Sequence, residues 1–161
     1  MLIRKSTAED LQQIKEIYKI AKLFMRETGN PNQWKGDYPN EIDAQSDIDE
    51  GIGYVCEENG EVVGVFAFKI GEEPTYNAIY EGKWLNDKPY AFIHRIAVLR
   101  QGKGIAKFCF DECFKVFSNL KIDTHEDNLP MQNALIKNGF SRCGIIYLEN
   151  GDKRIAFQKS L

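Results

Sequence analysis

A chain of 161 residues, 43% hydrophobic and 12% aromatic, can bury one well-packed core but is too short for two ordinary domains. One domain over residues 1–161 is therefore expected. The formal net charge of −3 excludes the strongly basic field that gathers nucleic acid or an anionic membrane. No apolar run approaches the roughly 20 residues of a membrane span, and MLIRKSTAEDL at the start has neither the apolar stretch nor the cleavage site of a secretory leader. The expected setting is cytoplasmic and the expected partner a small molecule.

In chain order, LIRKS alternates as a strand. Ser6 or Thr7 then caps a helix with Glu9 and Asp10 in its first turn and Leu11, Ile14, Ile17, Tyr18 and Ala21 at helical spacing. The segment TGNPNQWKGDY, Thr28 to Tyr38, is rich in turn residues yet carries Trp34 and Tyr38, and an acidic helix follows from Glu41 to Glu50. YVCEENGEVVGVFAFKI contains two β-rich runs joined by Asn59-Gly60, a strong hairpin signal. Residues 71–89 are irregular, with Tyr76, Tyr80 and Trp84 among charges and glycines.

YAFIHRIAV, residues 90–98, is the next strand. A helix over 103–118 follows, with Ile105, Phe108, Cys109, Phe114 and Phe117 as its expected buried face. LKIDT at 120–124 is a strand parallel to 90–98, so these three elements form a right-handed β-α-β unit. Asn128 and Pro130 open a last helix that ends at Asn138-Gly139, and two strands flank Asn150-Gly151. The order β-α-α-β-β-β-α-β-α-β-β implies an α/β fold: a mixed, mostly antiparallel sheet of about seven strands flanked by about four helices.

The four cysteines, Cys56, Cys109, Cys113 and Cys143, form no C-x-x-C pair, and His94 and His125 are the only histidines. Neither a disulfide nor a metal site is expected.

Chemistry concentrates in IAVLRQGKGIAKF, residues 96–108. A strand running into a turn with Gly102 and Gly104 and then a helix leaves unpaired backbone N–H groups at the positive end of the helix dipole. That arrangement seats a phosphate, with Arg100 and Lys103 adding charge; a solvated basic turn is the plainer alternative. The P-loop pattern G-x-x-x-x-G-K-S/T fails, because Ile105 follows Gly104. A dinucleotide fingerprint lacks its third small residue, since Lys107 stands there; Asp123 imitates its ribose-binding acid, but the antiparallel hairpin upstream opposes a doubly wound sheet.

HRIAV followed by GKGIA, then IDTHEDNLPMQ and KNGF, resembles the GCN5-related N-acetyltransferases (GNAT) over essentially the whole chain. The resemblance implies acetyl-coenzyme A as cofactor. Its pyrophosphate would lie on the backbone of Gly102, Lys103, Gly104, Ile105 and Ala106, with Arg100 and Gln101 sharing phosphate contacts. The pantetheine arm would bond to Ile96, Ala97 and Val98 like an added strand, with Asn128 and Met131 on its other side. In the family a tyrosine that protonates the departing thiolate often stands seven residues after the asparagine; here that position is Leu135.

The implied reaction is acetyl transfer from a thioester to the primary amine of a small molecule or peptide by direct attack. His94 is the candidate base, placed two residues before Ile96 so that strand alternation points both to one face; a histidine packed in the sheet is the other reading. Tyr147 is the candidate proton donor, and His125 with Glu126 and Asp127 reads as a solvated loop. Trp34, Tyr38, Tyr76, Tyr80 and Trp84 are candidate acceptor-pocket walls. The alternative function is a catalytically idle acetyl-CoA-binding module with a sensing or scaffolding role. A homodimer is compatible with either.

Overall fold

Residues 1–161 are described by a computed structural model. Strand β1 (Leu2–Lys5) leads through one 3₁₀ turn at Ala8–Asp10 into α1 (Leu11–Glu27). Asp10 fixes this entry. Its carboxylate accepts from the Thr7 backbone N–H at 2.7 Å and from the Arg4 guanidinium through two bonds of 2.8 Å. Helix α1 buries Ile14, Ile17, Tyr18 and Ala21, the stripe visible in the sequence. Helix α2 (Glu41–Glu50) starts at Asn40, whose side chain accepts from the Ile42 and Asp43 N–H groups, and stops at Gly51 with φ 76°.

Strands β2 (Gly53–Glu58) and β3 (Glu61–Ile70) form the expected hairpin. Asn59 and Gly60 both take the positive φ that a tight two-residue turn demands, 53° and 79°. Strand β4 (Ala91–Val98), helix α3 (Ile105–Val116) and strand β5 (Asn119–Thr124) make the β-α-β unit, and α4 (Leu129–Lys137) leads to the hairpin of β6 (Ser141–Tyr147) and β7 (Lys153–Ser160). The seven strands lie in the order β1-β2-β3-β4-β5-β7-β6, with β4 and β5 the parallel pair and the other neighbours antiparallel. The mixed, mostly antiparallel sheet with helices on its faces is thus the one expected.

On one face, α3 and α4 cover a core that includes Phe66, Ile93, Phe110, Leu120, Leu135 and Phe157. On the other, α1 covers Val55, Val65 and Ala97. Each large side chain so buried contributes about 1.5–3 kcal/mol of transfer free energy. One expectation is corrected: the buried residues of α3 are Ile105, Cys109, Phe110 and Cys113, while Phe108, Phe114 and Phe117 pack only partly buried at its margin. The helix ends at Val116, and Phe117 is already extended with φ −148°.

Two irregularities of the sheet create the site. First, Val65 pairs with Ala97 but Ala67 with His94, so β4 carries one extra residue, a bulge at Arg95 with φ 52°. The bulge resets alternation, and the expectation that His94 and Ile96 share a face is corrected. Ile93 and Ile96 both enter the α3-side core, whereas the His94 ring packs beside Phe92, 4.8 Å between centroids, a residue of a separate cluster. Second, β4 and β5 pair only at Ala91–Leu120 and Phe92–Lys121. Beyond Phe92 the strands part, and the β4 edge that faces β5 has no strand partner there.

Candidate active site

A cleft runs through the gap between β4 and β5. Toward α3 it is lined by Ile96, Ala97, Val98, Gln101 and Ala106 on one side and by Asn128, Pro130, Met131 and Ala134 on the other. No side chain in this stretch is ionisable. Through Met25, Ile96, Asn128 and Met131 the cleft continues to His94, Asp123 and Thr124. From there it opens to a mouth carrying Glu73 and Glu149.

At the α3 end, Gly102 and Gly104 adopt φ 71° and 75°, and a Cβ built on either would meet no atom within 4 Å. The glycines therefore serve backbone conformation and leave open space outside the turn. Gly104 is the N-cap of α3 and supplies no side-chain cap, so the first N–H groups of the helix lack intrahelical acceptors and face outward. Gln101 and Lys103 are exposed, Arg100 pairs with Glu61 at 2.9 Å, and the Ile105 side chain belongs to the core.

At the centre, three side chains from three segments meet. Tyr76, from the irregular connection between β3 and β4, donates its hydroxyl hydrogen to Asp123 Oδ2 at 2.6 Å and lies 3.4 Å from His94 Nε2. Nε2 is 4.0 Å from the same carboxylate oxygen. Burial pushes the Tyr76 phenol well above its ordinary pKa, with Asp123 acting in the same sense, so it remains a donor. Burial also lowers the His94 pKa, opposed by the Asp123 charge; the ring is neutral at pH 7 and has a free electron pair to offer.

The loop between α1 and α2 forms the roof. Gln33 Oε1 accepts from the side-chain amides of Asn30 at 3.0 Å and Asn128 at 2.8 Å, and the Gln33 carbonyl accepts from Arg154 Nη2 at 3.1 Å. Trp34 and Tyr38 line the cleft beside it. Arg95 reaches from the bulge to the Tyr38 hydroxyl at 3.3 Å and to both carboxylate oxygens of Asp47 in α2. This buried, two-pronged pair holds a non-glycine residue at a φ that costs roughly 1–2 kcal/mol. Asn128 caps α4 by accepting from the Met131 N–H at 3.1 Å, so its side chain is occupied on both sides.

The remaining candidates lie elsewhere. Tyr147 is 45% exposed, its ring stacked edge-on against exposed Tyr80 at 5.5 Å, and neither lines the cleft. Trp84 packs on Tyr76 at 5.3 Å, receives Lys121 over its ring at 4.1 Å and lines a different cleft from His94. Leu135 is fully buried in the core. His125 is half-buried, its Nδ1 accepting from the Asp127 N–H at 3.0 Å. Gln33, Arg95, Arg154 and Glu73 join the site without being expected there, and Asp123 stands out in the sequence only as the acid of a minor dinucleotide-binding alternative.

Residues 14–140 match the model of the acetyltransferase (GNAT) family. The chain belongs to this family. A GNAT-family acetyltransferase from Streptococcus agalactiae is 36% identical, with a TM-score of 0.91 over 99% of this chain and 95% of that one. One from Listeria monocytogenes, 20% identical, shares the fold with a TM-score of 0.70 over 99% and 94%. So does an Arabidopsis thaliana protein solved in complex with the bisubstrate analogue CoA-Ac-MVNAL, at 17% identity and a TM-score of 0.62 over 99% and 98%. No curated protein matches the chain.

As a GNAT acetyltransferase, the enzyme uses acetyl-CoA. Its own architecture fits that cofactor: an uncapped helix start behind two glycines for the pyrophosphate, then an apolar cleft beside a free strand edge for the pantetheine arm. No helix is long and apolar enough to cross a membrane.

Proposed function

We propose that this enzyme transfers the acetyl group of acetyl-CoA to the amine of a small molecule, with 1–161 acting as one unit. The observation that carries the reading is the meeting of the cofactor cleft with a neutral histidine, a carboxylate and a phenol at its inner end. Acetyl-CoA supplies the acetyl group as an activated thioester. The chain supplies position and proton handling. Free N–H groups on the β4 edge offer donors to a carbonyl oxygen, and the acidic mouth of Glu73, Asp123 and Glu149 draws in an ammonium group.

His94 Nε2 accepts the proton of the attacking amine. The imidazolium so formed lies 4.0 Å from Asp123, and the Tyr76 oxygen, whose own hydrogen is committed to Asp123, can accept from it. No ionisable side chain lines the α3 end of the cleft, so the chain holds no proton donor there. Tyr147 is exposed and packs against Tyr80, which favours water over this hydroxyl as the source of the return proton. The test is an amine panel with acetyl-CoA, read by mass of the product and by released thiol. Tight acetyl-CoA binding with no acetylated product across the panel would favour the idle module instead.

A further inference from the structure

Arg154 has an unusual standing in the cleft. It lies on β7 with 6% exposure, yet it makes no salt bridge. Its Nη1 donates to the Lys153 carbonyl at 3.0 Å and its Nη2 to the Gln33 carbonyl at 3.1 Å. A guanidinium has five N–H donors, so these two backbone anchors fix the side chain and leave donors free. No carboxylate lies within 4.0 Å of it: Asp152 pairs with Lys35 and Glu126 with Lys153, each at 3.6 Å, and Asp123 accepts from the Tyr76 hydroxyl at 2.6 Å. A buried cation with no counter-charge in contact is costly unless an anion completes it, and this one lines the same cleft as His94 and Asp123.

Register locates it relative to the proposed reaction centre. Asp123 pairs with Ala156 and Thr124 with Ile155, so Arg154 stands one diagonal step from Asp123 across an antiparallel pair, roughly 7–8 Å between neighbours of this kind. The inner cleft is therefore bipolar, with a carboxylate and neutral histidine at one point and a guanidinium that contacts no acid at the neighbouring diagonal position. We infer that the acceptor is a small amino acid-like molecule, its amine directed to His94 and Asp123 and its carboxylate bound by the guanidinium of Arg154. The planar fork of arginine suits a carboxylate, which it can engage with two parallel bonds.

This inference rests on the amine-acetylation reading, and the experiment separates the two. A series of α- and ω-amino acids, each paired with its primary amide, is assayed with acetyl-CoA. The preferred acid should exceed its own amide by about 10- to 100-fold in kcat/KM, mainly through KM, the range for losing a hydrogen bond to a charged group. Arg154→Gln should bring the acid down to the level of its amide, and Arg154→Lys should restore part of the preference. A second readout needs no donor: at least one acid of the series should raise the melting temperature of the wild type more than its amide does, and should not raise that of Arg154→Gln. Equal rates for acids and amides in the wild-type enzyme would overturn the inference while leaving amine acetylation standing. If no amine is acetylated, the melting experiment decides alone: Arg154-dependent binding of the acid upholds the anion site, and absence of binding overturns it.

Discussion

Replacing His94 by glutamine keeps a polar side chain of similar reach and removes the base. The structure sets the scale of the effect. Proton transfer to His94 creates a cation 4.0 Å from Asp123, and two unit charges at that separation attract by about 4 kcal/mol at an effective dielectric of 20. Burial opposes this gain and wins at rest, since the His94 pKa is lowered overall. The resting ring is thus neutral, while the charged form that appears during reaction has its counter-ion in place. A positioned general base contributes about 10²- to 10⁴-fold, or roughly 2.7–5.5 kcal/mol. His94→Gln should lower kcat by an amount in that range with little change in acetyl-CoA affinity. The deficit should shrink as pH rises and more amine arrives already neutral. Steady-state release of thiol, followed from about pH 6 to 9 around the ordinary histidine and amine range, is the assay. An unchanged rate throughout that interval would refute the assignment and leave His94 as a packed sheet residue.

Further outcomes follow from the same geometry. Because folded His94 binds its proton less readily than the unfolded chain, the unfolded state gains protons first, and stability falls as pH drops below about 6.5; denaturant titrations of His94→Gln should show a shallower loss in that window. Tyr147→Phe should leave kcat within about 2-fold if water supplies the return proton, as proposed from the exposure of this hydroxyl and its packing on Tyr80. Gly144→Ala should cost about 2–3 kcal/mol of unfolding free energy, because its Cβ would stand 2.6 Å from the Tyr80 carbonyl oxygen and break the Tyr80–Ile145 bridge. Gly104→Ala should lose roughly 1–2 kcal/mol of stability to backbone strain at φ 75°, and, if the turn seats the cofactor's pyrophosphate as proposed, should weaken acetyl-CoA binding beyond that by filling the open space outside it; calorimetry and thermal melts together separate the two losses.

What the sequence showed depended on how local the cause was. The Asn59-Gly60 hairpin, the stripe of α1 and the glycine turn before α3 each depend on residues within a few positions of one another, and each formed where expected. The His94–Tyr76–Asp123 meeting depends on segments 18 and 47 residues apart, one of them an irregular connection with no periodicity to read. The bulge at Arg95 leaves no mark in an alternating run such as FIHRIAV, yet it turns His94 away from Ile96. Tyr80 and Trp84 shared the aromatic signal of Trp34 and Tyr38, because packing and pocket walls use the same residue types. Arg154 had a readable clue, an arginine on alternate positions with Ala156 and Gln158 in a strand that buries residues 154–158, but only the fold shows that it lacks an acid partner.

The central claim is that a cofactor cleft ends at an amine-binding reaction centre. The most direct measurement is mass analysis of an amine panel after incubation with acetyl-CoA, with free thiol quantified in the same samples. The account predicts at least one N-acetylated amine, formed in step with thiol and lost in parallel with it in His94→Gln. Thiol released at the same rate with and without amine, with no acetylated product, would contradict it.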